Sequence, residues 1–209
     1  MTRIEQLIST YPELDRCASA IQAAFEILRI CFLHGGKVLT CGNGGSAADA
    51  EHIVGELMKG YLLKRPVPED IHTKLVSTNP ETGNYLASHL QGGLPAISLV
   101  SQTALLSAIA NDTAADMVYA QQVYAYGREG DVLIGISTSG NARNVLHAMQ
   151  VARAVGMSTV GLTGQTGGEL KQLCDVCICV PADNTPAIQE RHLPIFHVLC
   201  AMLEEEFFV

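Results

Sequence analysis

Two apolar runs in this chain each end in a turn of glycines and hydroxyl residues and continue as a helix, and this repetition constrains the fold more than any other feature. The first lies in KVLTCGNGGSAADAEHIVGE, residues 37–56: an apolar run Val38–Cys41, then Gly42, Asn43, Gly44, Gly45 and Ser46, then an Ala-rich helical segment. The second is GDVLIGI, residues 130–136, followed by Ser137, Thr138, Ser139, Gly140 and Asn141 and a helix over 142–155. Further apolar runs at 95–100, 158–163 and 176–180 alternate with helical stretches. Near-continuous apolar strands separated by helices indicate a parallel sheet covered on both faces, with ligands at the carboxyl ends of the strands. Both polar turns fall at that rim.

The glycines of the first turn let the backbone approach a ligand closely. The N–H groups of the following helix start, with the Ser46 hydroxyl, face an anion. A capping turn with Ser46 as N-cap is the plainer reading of one such turn; two hydroxyl-rich turns at one rim favour a phosphate site. The spacing is neither that of a P-loop nor a full G-x-G-x-x-G, so a nucleotide is not implied.

At 209 residues, one domain able to bury a sizeable core is expected. The net charge of −8 argues against non-specific nucleic-acid or anionic-membrane binding. With 48% hydrophobic and only 16% charged residues, more than one buried surface and hence an oligomer are favoured. Seven scattered cysteines, without an apolar leader or a membrane-length run, point to the cytoplasm. Cys177 and Cys179, in an apolar run, read as same-face core thiols rather than a redox or zinc pair.

Apolar spacing predicts an N-terminal helical arm over residues 1–34, packed in a helix bundle or against a partner subunit, ahead of a single domain over 35–209. The stretch 62–94 carries Pro66, Pro68, Pro80, Gly83, Gly92 and Gly93, and reads as a long, irregular, functional insertion. Helices are expected over 101–110 and 114–127 with a break at Asn111-Asp112. A final helix over 186–207 carries Gln189, His192 and His197, with Pro194 expected to kink it. His52 and Glu56, at i and i+4, share a helix face and form a metal half-site or an acid/base pair, a reading favoured by the neighbouring anion turn.

With these motifs assembled, namely CGNGGSAADAEH with Glu56, Asn111-Asp112, GDVLIGISTSGN, GLTGQTGG and IQERHLPIFH, the chain resembles the sugar isomerase (SIS) domain family over almost its whole length. Within that family it is similar to the sedoheptulose 7-phosphate (phosphoheptose) isomerases. The resemblance implies a flavodoxin-like three-layer α/β fold with a five-stranded parallel sheet, and a homotetramer with shared active sites. It implies a zinc ion held by His52, Glu56, Gln189 and His197, with Glu56 and His197 as the catalytic pair. Substrate binding is carried over to Asn43, Gly44, Ser46, Asp112, Ser137, Thr138, Ser139 and Gln189. The implied reaction moves a proton between C1 and C2 of a ketose phosphate through an enediol. Three departures concern the sugar rather than the reaction: Lys59-Gly60 where the family has Gly-Arg, Ala142 where a serine is frequent, and the long 62–94 segment. A non-catalytic relative, the tetrameric replication-initiator-associating scaffold, lacks the His/Glu and Gln/His set that this chain retains; an isomerase of another phosphosugar is the other alternative.

Overall fold

The computed structural model describes all 209 residues. In chain order the elements are α1 (Arg3–Thr10), α2 (Ala18–Leu33), β1 (Val38–Gly42), α3 (Gly45–Met58), α4 (Glu69–Thr78), α5 (Pro80–His89), β2 (Ala96–Ser98), α6 (Thr103–Asp112), α7 (Ala120–Tyr126), β3 (Val132–Ile136), α8 (Arg143–Ala154), β4 (Ser158–Thr163), α9 (Leu170–Leu173), β5 (Val176–Cys179) and α10 (Thr185–Phe208). The five strands form one sheet in the order β2-β1-β3-β4-β5, every pairing parallel. The expected strands are all present.

Alternation along the strands divides the interior into two cores. Val38 in β1 and Val132, Ile134 and Ile136 in β3 face a core shared with α1, α2, α3 and α10. Leu39, Cys41 and Leu133, one residue out of step, face a smaller core with α7 and α8. A sheet buried on both sides has this pattern because successive side chains point to opposite faces. Leu7, Leu14, Ile21 and Leu28 of the N-terminal segment belong to the larger core, so α1 and α2 form a bundle with α10 on the sheet itself. Ile30 and Leu33 at the end of α2 remain about half exposed.

Three expectations are corrected. The 62–94 stretch is not irregular but contains the antiparallel pair α4 and α5, which pack chiefly on each other. The predicted break at Asn111-Asp112 lies inside α6, which runs on to Asp112. The predicted helix over 114–127 is instead a short 3-10 turn, Ala115–Met117, followed by α7. Helix α10 continues through Pro194 as a single helix, without a break. Cys177 and Cys179 do share a face, their sulfurs 3.9 Å apart, but on the edge strand they are only half buried.

Candidate active site

Strands β1 and β3 are neighbours with Gly42 opposite Ile136, so the turns that follow them emerge side by side. Strand order changes direction between these two strands, which is where a sheet of this type opens a crevice. In the first turn Gly44 takes φ +57° and serves as the residue before α3. Ser46 is therefore not the cap; it is buried in the first turn of α3, its N–H donating to the Asn43 carbonyl. In the second turn Ser137 is buried and its hydroxyl accepts from the Ala142 N–H, while the Ser139 hydroxyl accepts from the Asn141 N–H. The N–H groups of Thr138 and Ser139 meet no protein acceptor, which leaves them available to an anion.

Two residues that sequence reasoning missed brace the turns, Asn144 from beyond the second to the first and Tyr119 within the first. The side-chain amides of Asn43 and Asn144 exchange two hydrogen bonds of 2.9 Å, and the Tyr119 hydroxyl donates to the Gly42 carbonyl at 2.6 Å. Asn144 follows the second turn by three residues, but nothing in the sequence pairs it with Asn43 across 101 positions.

At the other end of α3, His52 Nε2 lies 3.0 Å from Glu56 Oε1 and 3.3 Å from His197 Nε2. One ligand atom from each of the three lies within 4.8 Å of the others. Two imidazole nitrogens at this separation cannot both carry a hydrogen, so at least one presents a lone pair. The second Glu56 oxygen, Oε2, is buried without a partner. Burial, reinforced by the charge of neighbouring His52, lowers the pKa of His197, with Glu56 opposing. The ring is thereby held neutral, as a ligand or proton acceptor requires. Two imidazoles and a carboxylate with an unused, buried oxygen fit a divalent transition metal.

The remaining expected residues are less gathered. Gln189 places its amide where a Cβ on Gly45 would stand, at the start of α3 and seven residues before His52. Asp112 is exposed at the end of α6 and accepts a hydrogen bond from Asn111. The Tyr61 ring, not expected from sequence, lies 5.4 Å from the His197 ring and inclined to it by 33°.

A profile described as the SIS domain matches residues 4–90 and 77–164. The chain belongs to the SIS domain family. Its relatives within that family include the phosphoheptose isomerase of Rhodospirillum rubrum, 41% identical over 92% of this chain and 88% of the relative, and that of Roseiflexus sp. (strain RS-1), 43% identical over 93% and 86%. Among solved structures it is similar to the phosphoheptose isomerase of Francisella tularensis, with a TM-score of 0.74 at 30% identity over 98% of this chain and all of the other. The enzyme from Neisseria gonorrhoeae gives 0.70 at 33% over 95% and 98%. No helix of the chain is long and apolar enough to cross a membrane.

Proposed function

We propose that this chain isomerises sedoheptulose 7-phosphate to D-glycero-D-manno-heptose 7-phosphate, with zinc as its metal. The observation that carries the reading is the meeting of His197 of α10 with His52 and Glu56 of α3, the helix whose start adjoins two phosphate-ready turns, with a buried Glu56 oxygen left unpartnered. The N–H groups of Thr138 and Ser139, with the hydroxyls of Ser46, Ser137, Thr138 and Ser139, bind the phosphate. The sugar then lies along α3, Asn43, Gly44 and Gln189 bordering its path, and Asp112 is assigned to substrate binding on the family resemblance. Glu56 takes the proton from one of C1 and C2 and returns it to the other, while His197, uncharged at neutral pH, exchanges the proton of the substrate oxygens. Zinc held by His52, Glu56, His197 and Gln189 would polarise the carbonyl and stabilise negative charge on the enediolate.

The assembly proposed is a cytoplasmic homotetramer with active sites shared between subunits. The half-exposed Ile30 and Leu33 of α2 support it, since such surface is normally covered. Light scattering that finds a stable monomer would overturn it. For the reaction, purified protein is assayed with heptulose, hexulose and pentulose phosphates and its metal measured beside that of His52→Ala. Heptulose turnover with zinc that falls in the variant is expected. Zinc unchanged in the variant removes His52 from the site, and preferred turnover of another sugar reassigns the substrate.

A further inference from the structure

Helix α3 ends at Met58, and the carbonyls of its last turn have no partners within the helix. Two of them are met by one side chain: Arg65 Nη1 donates to the Leu57 carbonyl at 2.8 Å and Nη2 to that of Glu56 at 3.1 Å. The third edge of the same guanidinium, Nε, donates to Glu204 Oε1 at 2.8 Å. Glu204 also accepts the backbone N–H groups of Tyr61 (2.8 Å), Leu62 (2.7 Å) and Leu63 (3.0 Å). Both side chains are removed from solvent, Arg65 at 0% and Glu204 at 1% exposure, and the Phe208 ring covers the guanidinium at 4.5 Å.

Burying two charges is costly, and an apolar pair of similar volume packs as well or better. An apolar pair cannot accept three N–H groups and donate to two carbonyls at once. Two of its connections lead to the site: the Glu56 carbonyl belongs to the residue whose carboxylate stands with His52 and His197, and Tyr61 is the residue whose ring adjoins His197. Glu204 follows His197 by seven residues on α10, two turns and therefore nearly the same face. The pair fastens the end of α3 to α10 beside the three converging side chains.

We propose that Arg65 and Glu204 are positioning residues for the site, fixing the separation of Glu56 from His197 and the placing of Tyr61 against His197. This rests on the metal-site reading above. The phosphate turns, at the opposite end of α3, are independent of the pair. Loss of the clamp therefore lowers metal affinity and turnover while leaving phosphate recognition intact.

The test uses the full-length protein with Glu204→Gln, which keeps shape but removes the charge, and Arg65→Lys, which keeps charge but cannot span two carbonyls and a carboxylate. Zinc affinity by chelator competition, the His52 and His197 ring resonances of the metal-free protein, kcat, KM and inhibition by inorganic phosphate are measured below the melting temperature. Expected are a 10- to 100-fold loss of zinc affinity, the range for residues that orient ligands, displaced ring resonances and a lower kcat, with phosphate inhibition within about twofold of wild type. A folded variant, even one that melts earlier, with wild-type zinc affinity and ring resonances overturns the proposal. If Glu204→Gln does not fold, Arg65→Lys decides by the same measurements. If neither folds, the pair is an anchor of the fold and the proposal fails. A wild type that binds no zinc overturns the metal-site reading together with the clamp; a wild type that binds zinc beside unchanged variants overturns the clamp alone.

Discussion

His192 should set much of the acid limit of this fold. It lies between Gln189 and His197 in sequence, but the structure turns it away from the site: the ring is fully buried, Nε2 3.4 Å from the Thr163 carbonyl of β4 and Nδ1 without a partner. A carbonyl only accepts, so Nε2 carries the hydrogen and Nδ1 is bare. Protonating Nδ1 would bury an unpaired charge. Burial therefore lowers the pKa from its ordinary 6.5 to about 4, against the opposing pull of the Thr163 carbonyl. A gap of about 2.5 units at about 1.4 kcal/mol each is about 3.5 kcal/mol, most of it lost by pH 4. The unfolded chain takes up this proton near pH 6.5 while the folded one does so only near pH 4, so the unfolded state binds more protons between them. Stability is fully present above about pH 6.5 and falls by about 3 kcal/mol as the pH drops to about 4. His192→Gln keeps an N–H donor for Thr163 and cannot titrate. Urea unfolding of both proteins from pH 7.5 to 4.5, at fixed salt and protein concentration, reads the difference in slope directly. Glu204 also loses stability on acidification: burial raises its pKa, but the N–H groups of Tyr61 and Leu62 and the Arg65 guanidinium outweigh that and leave it lowered. That contribution is common to both proteins and cancels. Parallel stability curves would refute the assignment of a buried, neutral His192.

Glu56→Gln removes the proposed base and should lower kcat by about 10²- to 10⁴-fold with little change in KM; a rate near wild type in a steady-state assay would move the proton transfer elsewhere. Replacing Val67–Leu90 with a short Gly-Ser linker spares the Pro66–Gln91 bridge and the Gly92-to-Arg65 hydrogen bond at the root of the hairpin. The shortened protein should keep its zinc and its tetramer while turnover falls or the order of preferred sugars changes; a rate and sugar ranking both unchanged would make the hairpin a passive insertion, and loss of the tetramer in light scattering would make it a packing arm. Sugar length gives a further check, since His52 and Glu56 lie seven and eleven residues beyond Gly45, about 10 and 16 Å along α3. Dihydroxyacetone phosphate should inhibit through its phosphate without being isomerised, and its turnover at a rate comparable to a heptulose phosphate would refute this binding mode.

What could be read from the sequence was what repeats at short range. The strands were legible because a sheet covered on both faces needs apolar residues on both, and Val38–Cys41 and Val132–Ile136 supply them without interruption. The irregular reading of the 62–94 stretch fails because its prolines begin helices rather than break them. Pro68 instead precedes α4, and Pro80 occupies the first turn of α5 behind Asn79, whose side chain accepts the N–H groups of Glu81 and Thr82. Proline at a helix start costs nothing, because its missing N–H would have had no partner there. Gly83 was likewise a crossing point rather than a break: a Cβ on it would collide with the backbone of Val76, so its absence lets α4 and α5 approach.

The site divides along the same line. His52 and Glu56 were visible because four residues make a helical turn, and the serine turns because each follows an apolar run. What holds these pieces in register is non-local and leaves no period in the sequence: Asn43 with Asn144, and Arg65 with a glutamate 139 positions away. In KRPVP and LEEEFF nothing separates Arg65 from Lys64, or Glu204 from Glu205 and Glu206, which lie largely at the surface. Only the fold distinguishes them, because the carbonyls at the end of α3 and the N–H groups of Tyr61 to Leu63 require one buried guanidinium and one buried carboxylate at that place. The reacting groups were legible because they act through local spacing; the groups that fix their distances were not, because they answer to orphaned backbone atoms that exist only once α3 and α10 have come together.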